Sequence, residues 1–244
     1  MKKRKYIIRI SDDEVNLLKI DKNKIEAFKS IEGKSKFKLR MKKRNVSIIL
    51  EGEEIFIKYF TFPSYCKSNL REVIKNKLIS LYGSNVDNIL FSYSVIDEED
   101  AQLSTIVYCI NSSNLEKNKE IIFNNNIVSS VSLIQYYFLK YYDASFIHNR
   151  FVFAFKFNEI FYIMFVKNKN ILVNFAFNEL EENNRLLFDF IKNTAIENYE
   201  DNCDSIAIYR SNFDIDEKDL PSKYKYDIVK LDNVNEKILY LEME

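Results

Sequence analysis

The sequence of 244 residues predicts a mixed α/β (α+β) fold of two lobes, with a β-α-β-β-α-β subdomain inserted in the first lobe. Three observations predict it: short β-prone runs fill residues 5–30, a β-α-β-β-α-β order follows from residue 55, and residues 151–177 repeat the opening hairpin plus third strand. We place the first lobe at 1–142, with a split βαβ subdomain at about 55–131, and a truncated second lobe at 143–244.

Turn chemistry and two-residue alternation predict the elements of the first lobe. Lys5 to Ile10 and Val15 to Ile20 flank Ser11-Asp12-Asp13, which predicts an opening hairpin. Basic residues alternate strictly over 34–42 and predict a strand with one cationic face. The remaining predicted elements are strands Val46–Leu50, Ile55–Phe60, Ile89–Ile96, Leu103–Ile110 and Ile127–Val131, and helices Leu70–Leu81 (capped by Ser68 and Gly83), 113–124 and 132–142. We expect Gly52 to supply a positive φ for a hairpin between Val46–Leu50 and Ile55–Phe60.

The second lobe is predicted to begin with a β-meander whose strands are rich in aromatic residues. Its strands are Phe151–Phe157, Ile160–Val166 and Ile171–Phe177, joined by turns that contain Asn and Lys. The pattern then predicts a helix at 180–199, strands Ser205–Tyr209 and Tyr226–Leu231 around a loop at 216–225, and a closing helix at 234–241.

The net charge of zero conceals an asymmetric distribution. Residues 1–45 contain 16 Lys/Arg and 6 Asp/Glu, a local balance of +10, whereas the remaining 20 basic and 30 acidic residues give −10. A basic end of this kind suits an acidic partner, a nucleic acid or an anionic membrane surface, although a charge run can also be only a solvated face.

Cysteine usage and hydropathy predict a reduced, cytosolic protein. Cys66, Cys109 and Cys203 are far apart, and no signal-peptide pattern precedes them. The longest hydrophobic region, 151–166, is interrupted by Lys156, Asn158 and Glu159, so no stretch is predicted to span a bilayer.

The segment from Val46 to Tyr142 carries a resemblance to a known family. Val46-Ser47-Ile48-Ile49-Leu50-Glu51-Gly52 is similar to a strand ending in a Gly turn, and Ile57–Pro63 to a strand ending in an apolar residue and Pro. The helix Leu70–Leu81, the strand Asn88–Ile96 and residues 110–131 continue the match over about 100 residues. In these segments the chain resembles the PilM class of type IV pilus assembly proteins and the cytoplasmic domain of the type II secretion protein GspL. The resemblance implies an actin-like (ribonuclease H-like) ATPase fold in a degenerate form.

The departures from that family fall on the residues that would hold a nucleotide. The family's first phosphate loop, Asp-Ile-Gly-Ser, is matched here by Arg9-Ile10-Ser11-Asp12, and its second, Asp-x-Gly, by residues 154–159, Ala-Phe-Lys-Phe-Asn-Glu. The adenine-side Gly-Gly is replaced by Arg210-Ser211-Asn212-Phe213. We therefore expect no ATP binding, no cofactor and no enzymatic activity; a residual nucleotide hydrolase would need the missing loops.

Other catalytic and metal chemistry finds little support in the sequence. His148 is the only histidine, and its spacing to Cys109 or Cys203 does not indicate a triad. The scattered cysteines lack the close pairs of zinc sites and are expected to be buried hydrophobic residues. The acidic runs 97–100 and 214–219 lack the EF-hand pattern and are expected to be solvated loops.

The resemblance implies a non-catalytic cytoplasmic scaffold, peripheral to the inner face of the cell membrane, in a type IV pilus or type II secretion-like assembly. Its expected partners are the cytoplasmic tail of a bitopic inner-membrane subunit and the assembly ATPase. The alternative is a nucleic-acid-binding accessory protein that uses residues 2–5 and 34–44. The candidate residues for a partner or membrane-surface contact are Lys34, Lys36, Lys38, Arg40, Lys42, Lys43 and Arg44.

Overall fold

A computed structural model describes most of the chain. The described residues are 5–11, 14–21, 24–32, 45–53, 55–111, 115, 127–178, 189–190, 205–215, 218, 220, 225–235 and 239. The strands are β1 Lys5–Ile10, β2 Glu14–Asp21, β3 Lys24–Glu32, β4 Asn45–Leu50, β5 Phe56–Pro63, β6 Ile89–Glu99, β7 Gln102–Asn111, β8 Ile127–Leu133, β9 Arg150–Phe157, β10 Ile160–Lys167, β11 Asn170–Asn178, β12 Ile206–Ser211 and β13 Tyr226–Lys230. The helices of at least two turns are α1 Leu70–Tyr82 and α2 Ile134–Tyr141.

Two five-stranded sheets share one topology. Sheet 1 has the order β3-β2-β1-β4-β8, and sheet 2 has the order β11-β10-β9-β12-β13. In each, an antiparallel meander of three strands is followed by two strands that join it in parallel. The repeated plan expected from residues 5–30 and 151–177 is confirmed, and the chain is a mixed α/β protein with the predicted duplication.

The central strands of sheet 2 are apolar on both faces because both faces are buried. Residues 151–155 of β9 and 161–166 of β10 are all buried. On one face Phe138 of α2 stacks on Phe155 at a ring-centroid distance of 3.9 Å, and Phe155 stacks on Tyr162 at 4.8 Å. The other face packs with Phe190 in a cluster that includes Val152, Ala154, Phe161, Ile163, Phe165, Ile206, Ile208 and Leu220.

A third, three-stranded sheet has the order β5-β7-β6 and packs on α1. Leu70, Ile74 and Leu78, spaced at helical intervals, are the buried residues of α1 and pack against Leu103, Val107 and Cys109 of β7. The two cysteines in this part of the chain, Cys66 and Cys109, are free and buried, as expected, whereas Cys203 lies outside the described residues.

The pairing of two strands differs from the sequence prediction. β8 was assigned to the split βαβ subdomain at about 55–131, but it pairs in parallel with β4 in sheet 1. β4 and β5 were expected to form a hairpin, yet they belong to different sheets. Gly52 does have the expected positive φ, +78°, which lets the chain turn after β4. Strand partners depend on contacts that are distant in sequence, which local alternation does not encode.

Helix α1 begins and ends close to its predicted limits, but its start is capped differently. A 3₁₀ helix, Ser64–Asn69, leads into α1, and Asn69 rather than Ser68 is the N-cap residue, without a side-chain capping hydrogen bond. Gly83 is at the C-cap with the expected positive φ, +60°, but its ψ of −137° lies outside the left-handed helical region. Its N–H donates to the carbonyl of Ile79. The predicted strand at 34–42 lies outside the described residues, as do nearly all residues of the predicted helices at 113–124 and 180–199 and most of that at 234–241.

The chain divides into two compact units. The first comprises residues 1–52 and 120–244, and the second comprises residues 53–119. Sheets 1 and 2 and α2 lie in the first unit, while the three-stranded sheet and α1 lie in the second. The division of the chain into lobes at 142/143 stays a prediction.

Candidate functional site

The ends of the hairpins β1–β2 and β9–β10 are the places where the family resemblance predicts phosphate loops. Of the first turn the structure describes Ser11, whose N–H donates to the Glu14 carbonyl at 2.9 Å and whose hydroxyl accepts from the Glu14 N–H at 3.2 Å. These hydrogen bonds close the turn on itself. They direct the described polar groups of the turn toward each other and not toward a ligand.

Arg9, which the resemblance matches to the family's metal-holding Asp, is buried and ion-paired. Its side chain is 7% exposed, and its Nε lies 3.4 Å from Oε1 of Glu51, which is 2% exposed. Its Nη2 lies 3.7 Å from Oε2 of Glu14. A cation therefore stands where the family has a carboxylate, and the carboxylate of Glu51 compensates it.

Glu51 is held in place by the end of β4. Its N–H donates to the carbonyl of Ile10 at 2.9 Å, which extends the parallel pairing of β4 with β1 by one hydrogen bond. Because adjacent parallel strands end at the same edge, the carboxyl ends of β1 and β4 bring Arg9 and Glu51 together.

The turn between β9 and β10 reaches the same carboxylate from sheet 2. Asn158, in the left-handed region with φ +54°, donates from Nδ2 to Oε2 of Glu51 at 3.1 Å. One residue further along, the N–H of Gly52 donates to the hydroxyl of Tyr162 on β10 at 2.9 Å. Glu51 and Gly52 thus connect sheet 1 to sheet 2.

A side chain at position 52 would be disfavoured for two reasons. Its φ of +78° is strained for residues with a side chain, and a Cβ there would lie 3.3 Å from Cδ1 of Ile160. The backbone of the connection lies close to the β9–β10 turn, at the place where the family's second loop would approach a phosphate.

In the loop after β12, which the resemblance matches to the family's adenine-side glycines, the side chain of Asn212 is held by hydrogen bonds to Lys156 and Val234. Asn212 donates from Nδ2 to the carbonyls of Lys156 and Val234, both at 2.9 Å, and its Oδ1 accepts from the Val234 N–H at 2.9 Å. Beside it, the hydroxyl of Tyr142 bonds with the Ser211 hydroxyl at 2.7 Å and donates to the carbonyl of Asp232. Burial raises the pKa of Tyr142 to about 12, so it is a neutral donor here.

His148 has the environment of a structural histidine. Its Nδ1 lies 2.8 Å from the hydroxyl of Tyr209, which is fully buried and also accepts from the N–H of Ile147. Its Nε2 lies 3.4 Å from the carboxylate of Asp227. Cys109, the nucleophile considered from the sequence, is in the other unit, and burial raises the pKa of its thiol to about 11, which keeps it protonated at neutral pH.

The predicted contact residues Lys34, Lys36, Lys38, Arg40, Lys42, Lys43 and Arg44 lie outside the described residues, so their role stays a prediction. Within the described ranges, no three His, Cys, Asp or Glu side chains come together as a possible metal site. Among the helices that the structure describes, none combines the length and apolar composition needed to cross a bilayer.

Sequence reasoning identified the position of Arg9 but missed Glu51 and Asn158. Residues 51–53 were read as a turn, and Asn158 as part of a lost loop. No local signal marked Glu51 as buried, because a Glu-Gly-Glu run directly after the apolar strand Val46–Leu50 is typical of a solvated turn.

No known protein-family model matches this sequence, and neither does any curated protein. Solved structures do match over most of the chain. A Bacteroides thetaiotaomicron protein with an actin-like ATPase fold and unknown function aligns with TM-score 0.53 and 13% identity, covering 100% of this chain and 97% of that one. The cytoplasmic domain of EpsL, an inner membrane component of the type II secretion system of Vibrio cholerae, aligns with TM-score 0.55 and 8% identity, covering 98% and 93%.

A third match is to the PilM-PilN type IV pilus biogenesis complex, with TM-score 0.52 and 9% identity, covering 86% of this chain and 82% of that one. At identities of 8–13% these likenesses concern the fold. The actin-like ATPase fold that the resemblance implied is therefore confirmed.

Proposed function

We propose that this protein is a non-catalytic scaffold of a type IV pilus or type II secretion-like assembly, located in the cytoplasm against the inner membrane face. It docks the cytoplasmic tail of a bitopic inner-membrane subunit and the assembly ATPase. The observation that carries the proposal is the Glu51 carboxylate, which bridges Arg9 and Asn158 at the hairpin ends where an actin-like ATPase would hold phosphate. The EpsL domain and the PilM-PilN complex, which share the fold, support the choice of assembly.

The absence of catalysis rests on the chemistry of the three replaced loops. A phosphate cradle needs backbone N–H groups and a metal-holding carboxylate directed at an open cleft. Here Arg9 stands in place of that carboxylate, and the polar groups of Asn212 bond to Lys156 and Val234. A negatively charged Glu51 between the hairpins would also repel a triphosphate.

Partner docking in this proposal is recognition of an extended peptide, in which backbone pairing at a sheet edge gives affinity and side-chain pockets give specificity. The basic segment from Lys34 to Arg44 faces the anionic leaflet or an acidic partner surface. Each Lys or Arg near such a bilayer contributes about 1 kcal/mol to binding.

The test of docking is co-purification of this chain with the cytoplasmic tail of a bitopic pilus or secretion subunit from the same genome, and separately with the assembly ATPase. We expect stable complexes, and weaker binding to anionic vesicles when Lys36, Lys38 and Arg40 are changed to Glu. Changing the exposed Lys75 and Lys77 of α1 to Glu is the control, to be compared with the change of Lys36 and Lys38 alone. Failure to bind any such subunit would contradict the proposal, and DNA retention that falls steeply with salt would favour the nucleic-acid alternative.

The test of the non-catalytic role is the melting temperature with and without ATP and Mg²⁺. We expect no shift, because a ligand stabilises a protein only by binding its folded state. A nucleotide-dependent rise in melting temperature, or ATP hydrolysis that survives purification and is lost with Arg9→Ala, would overturn the assignment.

A further inference from the structure

Two side chains from different sheets converge on one buried carboxylate, Arg9 through an ion pair and Asn158 through a hydrogen bond. Arg9 approaches Oε1 of Glu51 from sheet 1 at 3.4 Å, and Asn158 approaches Oε2 from sheet 2 at 3.1 Å. Oε1 therefore lies beside the guanidinium in an ion pair, and Oε2 accepts a hydrogen bond from the Asn158 amide. A bound oxyanion between the two hairpins would be held in the same manner.

The Glu51 carboxylate lies at the edge of the sheet where α/β proteins bind their ligands. In open α/β sheets, ligands bind outside the carboxyl ends of the strands. Arg9 lies at the carboxyl end of β1, and Glu51 follows the carboxyl end of its parallel neighbour β4. Asn158 follows the carboxyl end of β9, which is the counterpart of β1 in sheet 2.

Because the guanidinium of Arg9 is buried, it needs an anion beside it. The side chains of Arg9 and Glu51 are 7% and 2% exposed, so water does little to solvate either charge. A guanidinium in such surroundings is stable only beside an anion. Glu14, a second carboxylate near Arg9 among the described residues, is 45% exposed, lies at 3.7 Å and already accepts from the Asn16 amide at 3.1 Å. Glu14 therefore compensates Arg9 only in part.

We propose that the Glu51 carboxylate is an internal ligand, which occupies an anion-binding site formed by Arg9 and Asn158 between the two sheets. The site is built for a small oxyanion and is closed by the chain's own side chain. Removing the carboxylate exposes it, and the protein then binds a carboxylate or phosphate from solution. This inference does not depend on the scaffold role, because it concerns only contacts within the chain.

The experiment is Glu51→Ala, with melting temperature measured against increasing sodium formate or inorganic phosphate at ionic strength held constant with chloride. Formate supplies the carboxylate group that the substitution removes. We expect the variant to be stabilised progressively, with a dissociation constant in the millimolar range, the limit for so small a ligand. At about ten times that constant, the folding equilibrium shifts by about elevenfold.

Three controls assign the effect to this site. Two proteins should respond only to the general salting-out effect of the anion. One is the wild-type chain, whose site is filled. The other is Glu98→Ala, which removes an exposed carboxylate paired with Lys67 in the other unit. Combining Arg9→Met with Glu51→Ala should weaken binding of the anion by about tenfold or more, because the charged guanidinium is gone.

Equal responses of the wild type and Glu51→Ala would overturn the proposal, as would a response that persists without Arg9. If Glu51→Ala does not fold in chloride, refolding in formate replaces the melting curve. Recovery of the far-ultraviolet circular dichroism signal then supports the internal-ligand assignment, and no recovery contradicts it.

Discussion

At the scale of single residues, the ion pair of Arg9 with Glu51 is the least exposed of the pairs described, at 7% and 2% side-chain exposure. Removing one side chain has a different effect on stability in a buried ion pair than in an exposed one. Truncating one member of a buried pair leaves the other charge without compensation, whereas an exposed partner is resolvated.

We therefore expect Arg9→Met to lower the free energy of unfolding by about 3–5 kcal/mol. Lys67→Met is the control, because Lys67 and Glu98 are 62% and 43% exposed and their pair is expected to contribute at most about 1 kcal/mol. The double change Arg9→Met with Glu51→Gln should recover part of the loss, since the uncompensated charge is removed. Urea denaturation measures all three, and equal losses for Arg9→Met and Lys67→Met would contradict the structure.

The residues of this network also mark a limit of sequence reasoning. Arg9 could be located because it stands within a short turn that matches a family loop. Glu51 and Asn158 are 107 positions apart, and no local pattern connects them. Their contact depends on how the two sheets meet, which is a property of tertiary packing.

At the scale of elements, the strands were predictable and their partners were not. The predicted bounds of β1, β9 and β10 agree with the structure to within a residue, because apolar runs bounded by turn residues define them. β8 was assigned to the inserted subdomain but pairs with β4, because the alternation of apolar and Ser residues in Ile127–Leu133 defines a strand without specifying its partner. β6 extends to Glu99, beyond the predicted Ile96, because pairing with β7 imposes strand geometry on its acidic end.

The end of α1 gives a prediction about backbone conformation. Gly83 has φ +60° and ψ −137°, a combination that residues with a Cβ rarely adopt, and a Cβ there would have no atom within 4 Å. Gly83→Ala should therefore cost about 1–3 kcal/mol through backbone strain alone. Ser80→Ala, an exposed change within the same helix, should stay within about 0.5 kcal/mol. If urea denaturation gave equal stabilities for the two variants, the positive φ at this C-cap would be contradicted.

At the scale of the whole molecule, both compact units contain buried groups whose pKa is raised. Burial raises the pKa of Cys109 to about 11 and that of Tyr108 to about 12 in the second unit, and that of Tyr142 to about 12 in the first. These groups are neutral when protonated. The folded state therefore retains their protons at pH values where the unfolded chain, with ordinary values of 9.0 and 10.0, has lost them.

The contribution of these groups to the free energy of unfolding is accordingly present in full below about pH 9. It is lost as the pH rises from there toward about pH 12. We expect Tyr142→Phe, which removes one such group, to show a shallower loss above pH 10 than the wild type, despite losing the bonds to Ser211 and Asp232. Tyr65→Phe, at a residue that is 84% exposed, is the control. Urea denaturation at several alkaline pH values gives the slopes, and identical slopes for all three proteins would contradict the prediction.

The placement of β8 has a consequence for the order of events during synthesis. Sheet 1 receives β1 to β4 from the first 50 residues, but its last strand is at residues 127–133, after the whole of the second unit. A ribosome therefore releases residues 53–119 while one edge of β4 still lacks its partner. Because domains fold as units during translation, the inserted unit can complete its own core first. The nascent first unit meanwhile has an unpaired strand edge, which makes that interval the stage at which a chaperone would be most useful.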